Sequence, residues 1–177
     1  MLGIFKKELV SAPKELNSPY QKHDQHQNQN PLKHFLSSNA NAFNISFGND
    51  VSLAFDPSSH TSLHQQRLFS SMDDIYCIFL GGLDNLCTLN KQYGLTKLAN
   101  EPMFVIQAYK TLRDRGPYPA HSVLKDLDGS FGFILYDLKA KTVFVSLVSF
   151  PIITTFLNVK LGGGHISDLW LIIFIEC

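Results

Sequence analysis

Three cysteines in 177 residues, Cys77, Cys87 and Cys177, form neither an even set nor a pair at metal-ligand spacing. That scarcity excludes a disulfide scaffold and points to a reducing compartment, the cytoplasm with the nucleus as a second location. Charge is sparse as well. Asp, Glu, Lys and Arg make up 17% of the chain, against about 25% in an average globular domain. Fifteen basic residues cancel fifteen acidic ones. A neutral chain offers no electrostatic footprint to nucleic acid or to an anionic membrane, so neither is expected as a partner. No long apolar run opens the chain, because Lys6, Lys7 and Glu8 interrupt it, and a secretory signal is not expected. The stretch 142–159 carries no charge, yet Pro151, Asn158 and several Ser and Thr break its hydrophobicity, so no membrane span is expected there.

Enough is present for one domain with a real core. Residues 1–5, MLGIF, read as a buried strand beginning at the first residue. A short helical turn follows at 11–16. Residues 17–31, rich in Gln, Asn and His, cannot bury enough surface to offset their ordering entropy and read as a mobile loop. His23 and His26 stand three apart there without a cysteine or acidic partner in a fixed frame; no metal and no cofactor is expected. Residues 43–47 and 51–55 alternate apolar and polar around Gly48-Asn49-Asp50, a hairpin signal.

The densest information lies between Asp73 and Asp137. An apolar strand over 75–80 runs into a Gly81-Gly82 turn. A helix carries Leu83, Leu86, Leu89 and Tyr93 on one side, with Gly94 as its C-terminal cap. Asn100 is placed to cap a second helix, with Glu101 and Pro102 in its first turn and Arg113 and Arg115 in its last. A further short helix is expected within 119–127, then a strand over 130–137 and its return over 142–148. Helices between antiparallel strands make this an α+β domain.

Tyr93-Gly94-Leu95 and Leu112-Arg113-Asp114-Arg115, with DDIYC at 73–77 and LDNL at 83–86, resemble the plant aluminium-induced and stem-specific proteins, a family marked by YGL and LRDR motifs. The opening MLGIF, Ala12-Pro13 and ELNSP at 15–19 are similar to that family too, so the likeness covers roughly 1–20 and 43–147. The family in turn resembles the class II glutamine amidotransferase domain. The resemblance implies a four-layer αββα sandwich of the N-terminal-nucleophile hydrolase type, in residues 1–147. LDGSFGFILYD at 127–137 looks like an amidotransferase strand, and FLGGLDN at 79–85 sits where that superfamily has an oxyanion turn. By the same likeness Arg67 falls where a substrate carboxylate is gripped, and Glu101 where a substrate amine is held. Gly81 and Gly82 would present backbone donors. The plain alternatives are a solvated Arg67, a tight Gly81-Gly82 turn and an ordinary helix-start carboxylate at Glu101.

Amidotransferase chemistry needs a cysteine nucleophile after the initiator methionine and an oxyanion donor. Leu2 stands at the first position and Leu80 at the second, so no catalytic residue is assigned. The implied function is a non-catalytic amidotransferase-like domain, stress-responsive, that binds a small amino acid or amide, with homo-oligomerisation expected. A glutamine-hydrolysing enzyme with another nucleophile and a truncated isoform without independent function stay open. Buried, inert thiols are expected at Cys77 and Cys87. The apolar tail, 148–177, has no counterpart in the resemblance; the fold is expected to be incomplete at that end, leaving strands without neighbours.

Overall fold

In chain order the first half forms β1 (Leu2–Lys6), α1 (Pro31–Ser38), β2 (Phe43–Phe47), β3 (Val51–Phe55), β4 (Arg67–Met72) and β5 (Ile75–Leu83). The second half forms α2 (Leu86–Gln92), α3 (Glu101–Asp114), β6 (Gly129–Asp137), β7 (Thr142–Val148), β8 (Phe156–Gly162) and β9 (Trp170–Glu176). The computed structural model describes residues 1–6, 31–57, 67–95, 99–115, 124–148, 156–162 and 170–176. The expected helical turn at 11–16, both loop histidines and most of the loop itself lie outside these residues. The chain is a mixed α+β protein with two antiparallel sheets.

One unit comprises Met1–Asp56 and Phe156–Glu176. Its sheet has the order β2-β3-β1-β9-β8. The 43–55 hairpin forms as the alternation requires, with Ile45 opposite Leu53 and Gly48 at φ 59° in the turn. Leu2, Ile4 and Ala54 present one apolar face, and α1 lays Phe35, Leu32 and Leu36 against it. That helix was not expected; Pro31 opens it, which suits a first helical position and ends the polar loop one residue earlier than its composition suggests. The tail does not leave strands without neighbours. β9 pairs with β1, Gly3 opposite Ile173, and β8 pairs with β9, so central β1 is hydrogen-bonded on both edges.

The second unit, Pro57–Thr155, has a sheet ordered β4-β5-β6-β7. Ile75, Cys77 and Phe79 of β5 join Phe131, Phe133 and Leu135 of β6 in a core closed by Phe104, Val105, Ile106 and Ala108 of α3. The intervening Ile78, Leu80 and Ile134 are buried as well, which is why both strands read as continuous apolar runs rather than alternating ones. β4 was missed because its SSM end is polar and no glycine marks the turn. Asp73 and Asp74 take φ of 53° and 64° themselves, the conformation of a two-residue hairpin turn.

Gly81 and Gly82 do not turn the chain. They continue β5 opposite Phe131 and Ser130, and the turn comes after Leu83. Gly81 has φ 93°, and a Cβ there would lie 2.1 Å from the Ser130 carbonyl oxygen. Across the ladder Gly129 has φ 142°, and its Cβ would lie 2.4 Å from the Gly82 oxygen. Two backbones approach here more closely than any side chain permits. Gly48, with open space around it, needs glycine only for its φ. Gly81→Ala is therefore expected to destabilise the protein by about 2–4 kcal/mol and Gly48→Ala by about 1 kcal/mol. Urea unfolding midpoints compare the two directly; equal losses would contradict the close-approach account.

Candidate functional site

At the N-terminal strand, Leu2 is fully buried and packs with Ile4, Ala54 and Phe35 beneath α1. The side chain at the position where the resemblance would put a nucleophile is thus an apolar core residue. Leu80, which the resemblance would put at an oxyanion turn, is also buried in β5. Burial pushes the Cys77 thiol far above its ordinary value, which removes the thiolate needed for attack. Cys87 differs from its expected burial: it lies exposed on α2.

The residues that the resemblance would assign to a ligand are only partly gathered. Arg67 opens β4 opposite Leu80, one step along the ladder from Gly81. Gly82 follows in the same strand. Glu101 sits in the first turn of α3, and that turn is tied to β4 at a different point, where the Ser70 hydroxyl meets the Asn100 side chain at 3.3 Å. Three residues of strand, about 10 Å, separate Ser70 from Arg67. Asn100 caps α3 as its position implies, accepting from the Met103 N–H at 3.1 Å.

Tyr93, Gly94 and Leu95 end α2. Gly94 takes φ 67°, its N–H donates to the Lys91 carbonyl and the Leu95 N–H to the Asn90 carbonyl, the paired bonds of a Schellman motif. The Tyr93 ring stands edge-on to Phe104 of α3, and its hydroxyl donates to the Asp126 carboxylate at 3.0 Å. The Asn85 side chain donates to the Asp126 carbonyl at 2.7 Å and accepts from the Asp128 N–H. Both residues hold the segment that leads into β6, where residues 124–126 form one 3₁₀ turn.

Leu112 packs against the core from α3, and Arg113 turns toward β6. Its Nη1 donates to Asp137 Oδ2 at 2.6 Å and its Nε to Asp114 Oδ1 at 2.8 Å. Asp137 has no solvent exposure. Its carboxylate also accepts from the Tyr109 hydroxyl and from the Lys139 and Ala140 N–H groups. Burial alone would raise its pKa, but the Ala140 amide and the Arg113 guanidinium outweigh that and hold it below the ordinary carboxylate value. Sequence reasoning placed Asp137 merely at a strand end. An acid closing the run FGFILY was the available signal, because a carboxylate buried there requires partners.

Two clefts border α3. One, of about 400 Å³, is lined by Met72, Leu95, Gln107, Lys110, Thr111, Asp114 and Arg115. The other, of about 470 Å³, is formed by Gln92, Tyr93, Gly94, Thr111 and Arg115. Residues of both motifs therefore meet along these clefts. Among the described residues no three His, Cys, Asp or Glu side chains gather in a way that could hold a metal. No helix among them is long and apolar enough to cross a membrane.

The family model described as aluminium induced protein matches residues 2–163. The chain is also 38% identical over 149 residues to stem-specific protein TSJT1 of Nicotiana tabacum, covering 82% of this chain and 99% of that relative. The chain belongs to the aluminium induced protein family. Within that family span lie β1, the Asp137 network, both clefts and β8, so the match reaches past residue 147 into the tail.

For this family member the Arg113–Asp137 pair sets an acid limit. Unfolded aspartate titrates near pH 3.9 and the native carboxyl lower, so the stabilisation is complete above about pH 4 and is lost as pH falls through the lowered native value. Arg113→Ala leaves a buried carboxylate short of its cation and is expected to cost about 2–4 kcal/mol at pH 7. Unfolding midpoints between pH 7 and 3 check both: the mutant's loss should shrink toward the acid end, and a pH-independent loss would refute the linkage.

Proposed function

We propose that the chain is a non-catalytic class II glutamine amidotransferase-like domain, of the four-layer N-terminal-nucleophile hydrolase type, that binds a small amino acid or amide in a stress-responsive regulatory setting. The observation that carries this reading is Leu2, sealed in the β1–α1 core where a nucleophile would have to meet substrate. Cys77 supports it, being buried with its thiol pushed up. The pairing of helix layers with antiparallel sheets is compatible with the proposed layering. The family's description as aluminium induced supports the stress-responsive setting.

In this proposal Arg67 pairs with the ligand carboxylate, Gly81 and Gly82 offer backbone donors, and Glu101 meets the ammonium. The demand on Gly81 from its close approach to Ser130 is separate and would persist without a ligand.

Incubation of the purified protein with glutamine should release no glutamate or ammonia above the buffer rate. Glutamine or a related amide should raise the melting temperature, and Arg67→Ala should remove that rise. Glutamate release that disappears on Cys87→Ser or Cys77→Ser substitution would replace this reading with that of an enzyme.

A further inference from the structure

We propose that β7 is a dimerisation edge. A second copy of this chain lays its own β7 antiparallel alongside, across a two-fold axis at Val145, so that two four-stranded sheets continue as one of eight strands. It goes beyond the reading above, whose ligand set lies on β4, at the other edge of this sheet, on β5 and at the start of α3.

β7 pairs with β6 alone, in an unbroken register from Phe131 opposite Val148 to Asp137 opposite Thr142. Along its other edge the backbone makes no hydrogen bond among the described residues. A strand in that state offers a row of N–H and C=O groups to another strand, and proteins ordinarily blunt such edges with a charge, a proline or a bulge. The seven residues TVFVSLV contain none of these. The other edge strands differ: β4 opens with Arg67, β8 carries Lys160, and β2 is only five residues long.

The strand's own residues select a second copy as the occupant. With Val145 at the centre all seven find partners: Thr142 faces Val148, Val143 faces Leu147, Phe144 faces Ser146, and Val145 faces itself. Phe144 and Ser146 lie on the α3 side of the sheet, where the Phe144 ring stands edge-on to Phe133 with centroids 5.3 Å apart. Setting each phenyl ring beside the other copy's serine alternates large with small across the join. Val143, Val145 and Leu147, each half-buried in the single chain, meet apolar counterparts on the other face and leave water together. A slip of one residue would instead align the α3 side of one copy with the opposite face of the other.

Charge decides the direction. Lys139 and Lys141 are exposed in the turn that leads into β7. Antiparallel pairing about Val145 keeps the two Lys141 residues about 27 Å apart, well past the screening length of about 8 Å at physiological salt. Parallel pairing would put them side by side. The two-fold contact also uses up the edge of both copies, so assembly stops at two.

Sedimentation equilibrium of the full chain, with its thiols reduced, tests this. A monomer–dimer equilibrium with a Kd of about 100 µM or tighter is expected. Val145→Lys supplies the charge that edges ordinarily carry and should weaken it at least about tenfold, while Ser46→Lys on β2 should leave it unchanged. Cysteine crosslinking locates the axis, in a Cys87→Ser/Cys177→Ser background. Val145→Cys would face its own copy at a Cα separation of about 4.5–5.5 Å, which a disulfide bridges; Thr142→Cys would lie about 20 Å from its counterpart. Oxidation should join the first variant and leave the second single. Circular dichroism confirms that Val145→Lys folds, and if it does not, the crosslinking pair decides alone. A monomer at about 500 µM, assemblies larger than two, a dimer undiminished in folded Val145→Lys, or a crosslink at position 142 and not at 145 overturns the proposal. A glutamine-dependent rise in melting temperature reports on the Arg67 reading and alters none of these outcomes.

Discussion

A carboxylate removed from water must be protonated or fully hydrogen-bonded, and Asp137 is held in the second way. Four donors converge on it: a guanidinium and a phenol from α3, and two backbone amides from the turn that follows β6. Because the donors come from separate elements, the bonds fix where the last turns of α3 stand relative to the β6–β7 hairpin. The neighbouring hairpin is drawn into the same arrangement. The Leu138 N–H donates to the Asp74 carbonyl at 3.0 Å, and Lys110 of α3 pairs with Asp73. Apolar packing beneath α3 is non-directional, so these polar ties decide its register on the sheet.

That arrangement divides the two motifs between scaffold and surface. Leu112 and Arg113 face inward, toward the core and Asp137, whereas Arg115 faces the clefts. Tyr93 likewise anchors the Asp126 segment and meets Phe104 edge-on, while Gly94 closes α2 and lines the second cleft. The helix end made by Gly94 places Leu95 against the first cleft through the Schellman bonds. Local capping chemistry and cleft shape are therefore products of the same three residues.

The N-terminal strand obeys a different constraint. Leu2 and Ile4 are core residues under α1, and β1 receives hydrogen bonds from β3 on one side and β9 on the other. A central strand saturated in this way exposes neither an edge nor a reactive side chain. It is a structural element, with its apolar side chains committed to the core.

Residue patterns alone determined the 43–55 hairpin, the buried β5 and β6, both helices of the second unit and their caps, since alternation, apolar runs, Asn100 and Gly94 act over only a few neighbours. They also determined that Leu2 supplies no nucleophile, which is a matter of side-chain chemistry. Tertiary structure decided the rest. Gly81 and Gly82 look like a turn until β6 is seen pressed against them; β4 and α1 lack strong local signals and exist because partners cover them. The tail became two strands because β9 pairs with β1 and β8 with β9, the first a contact spanning almost the whole chain that no local window contains. Asp137 became the centre of a network, because only folding determines which charges find each other.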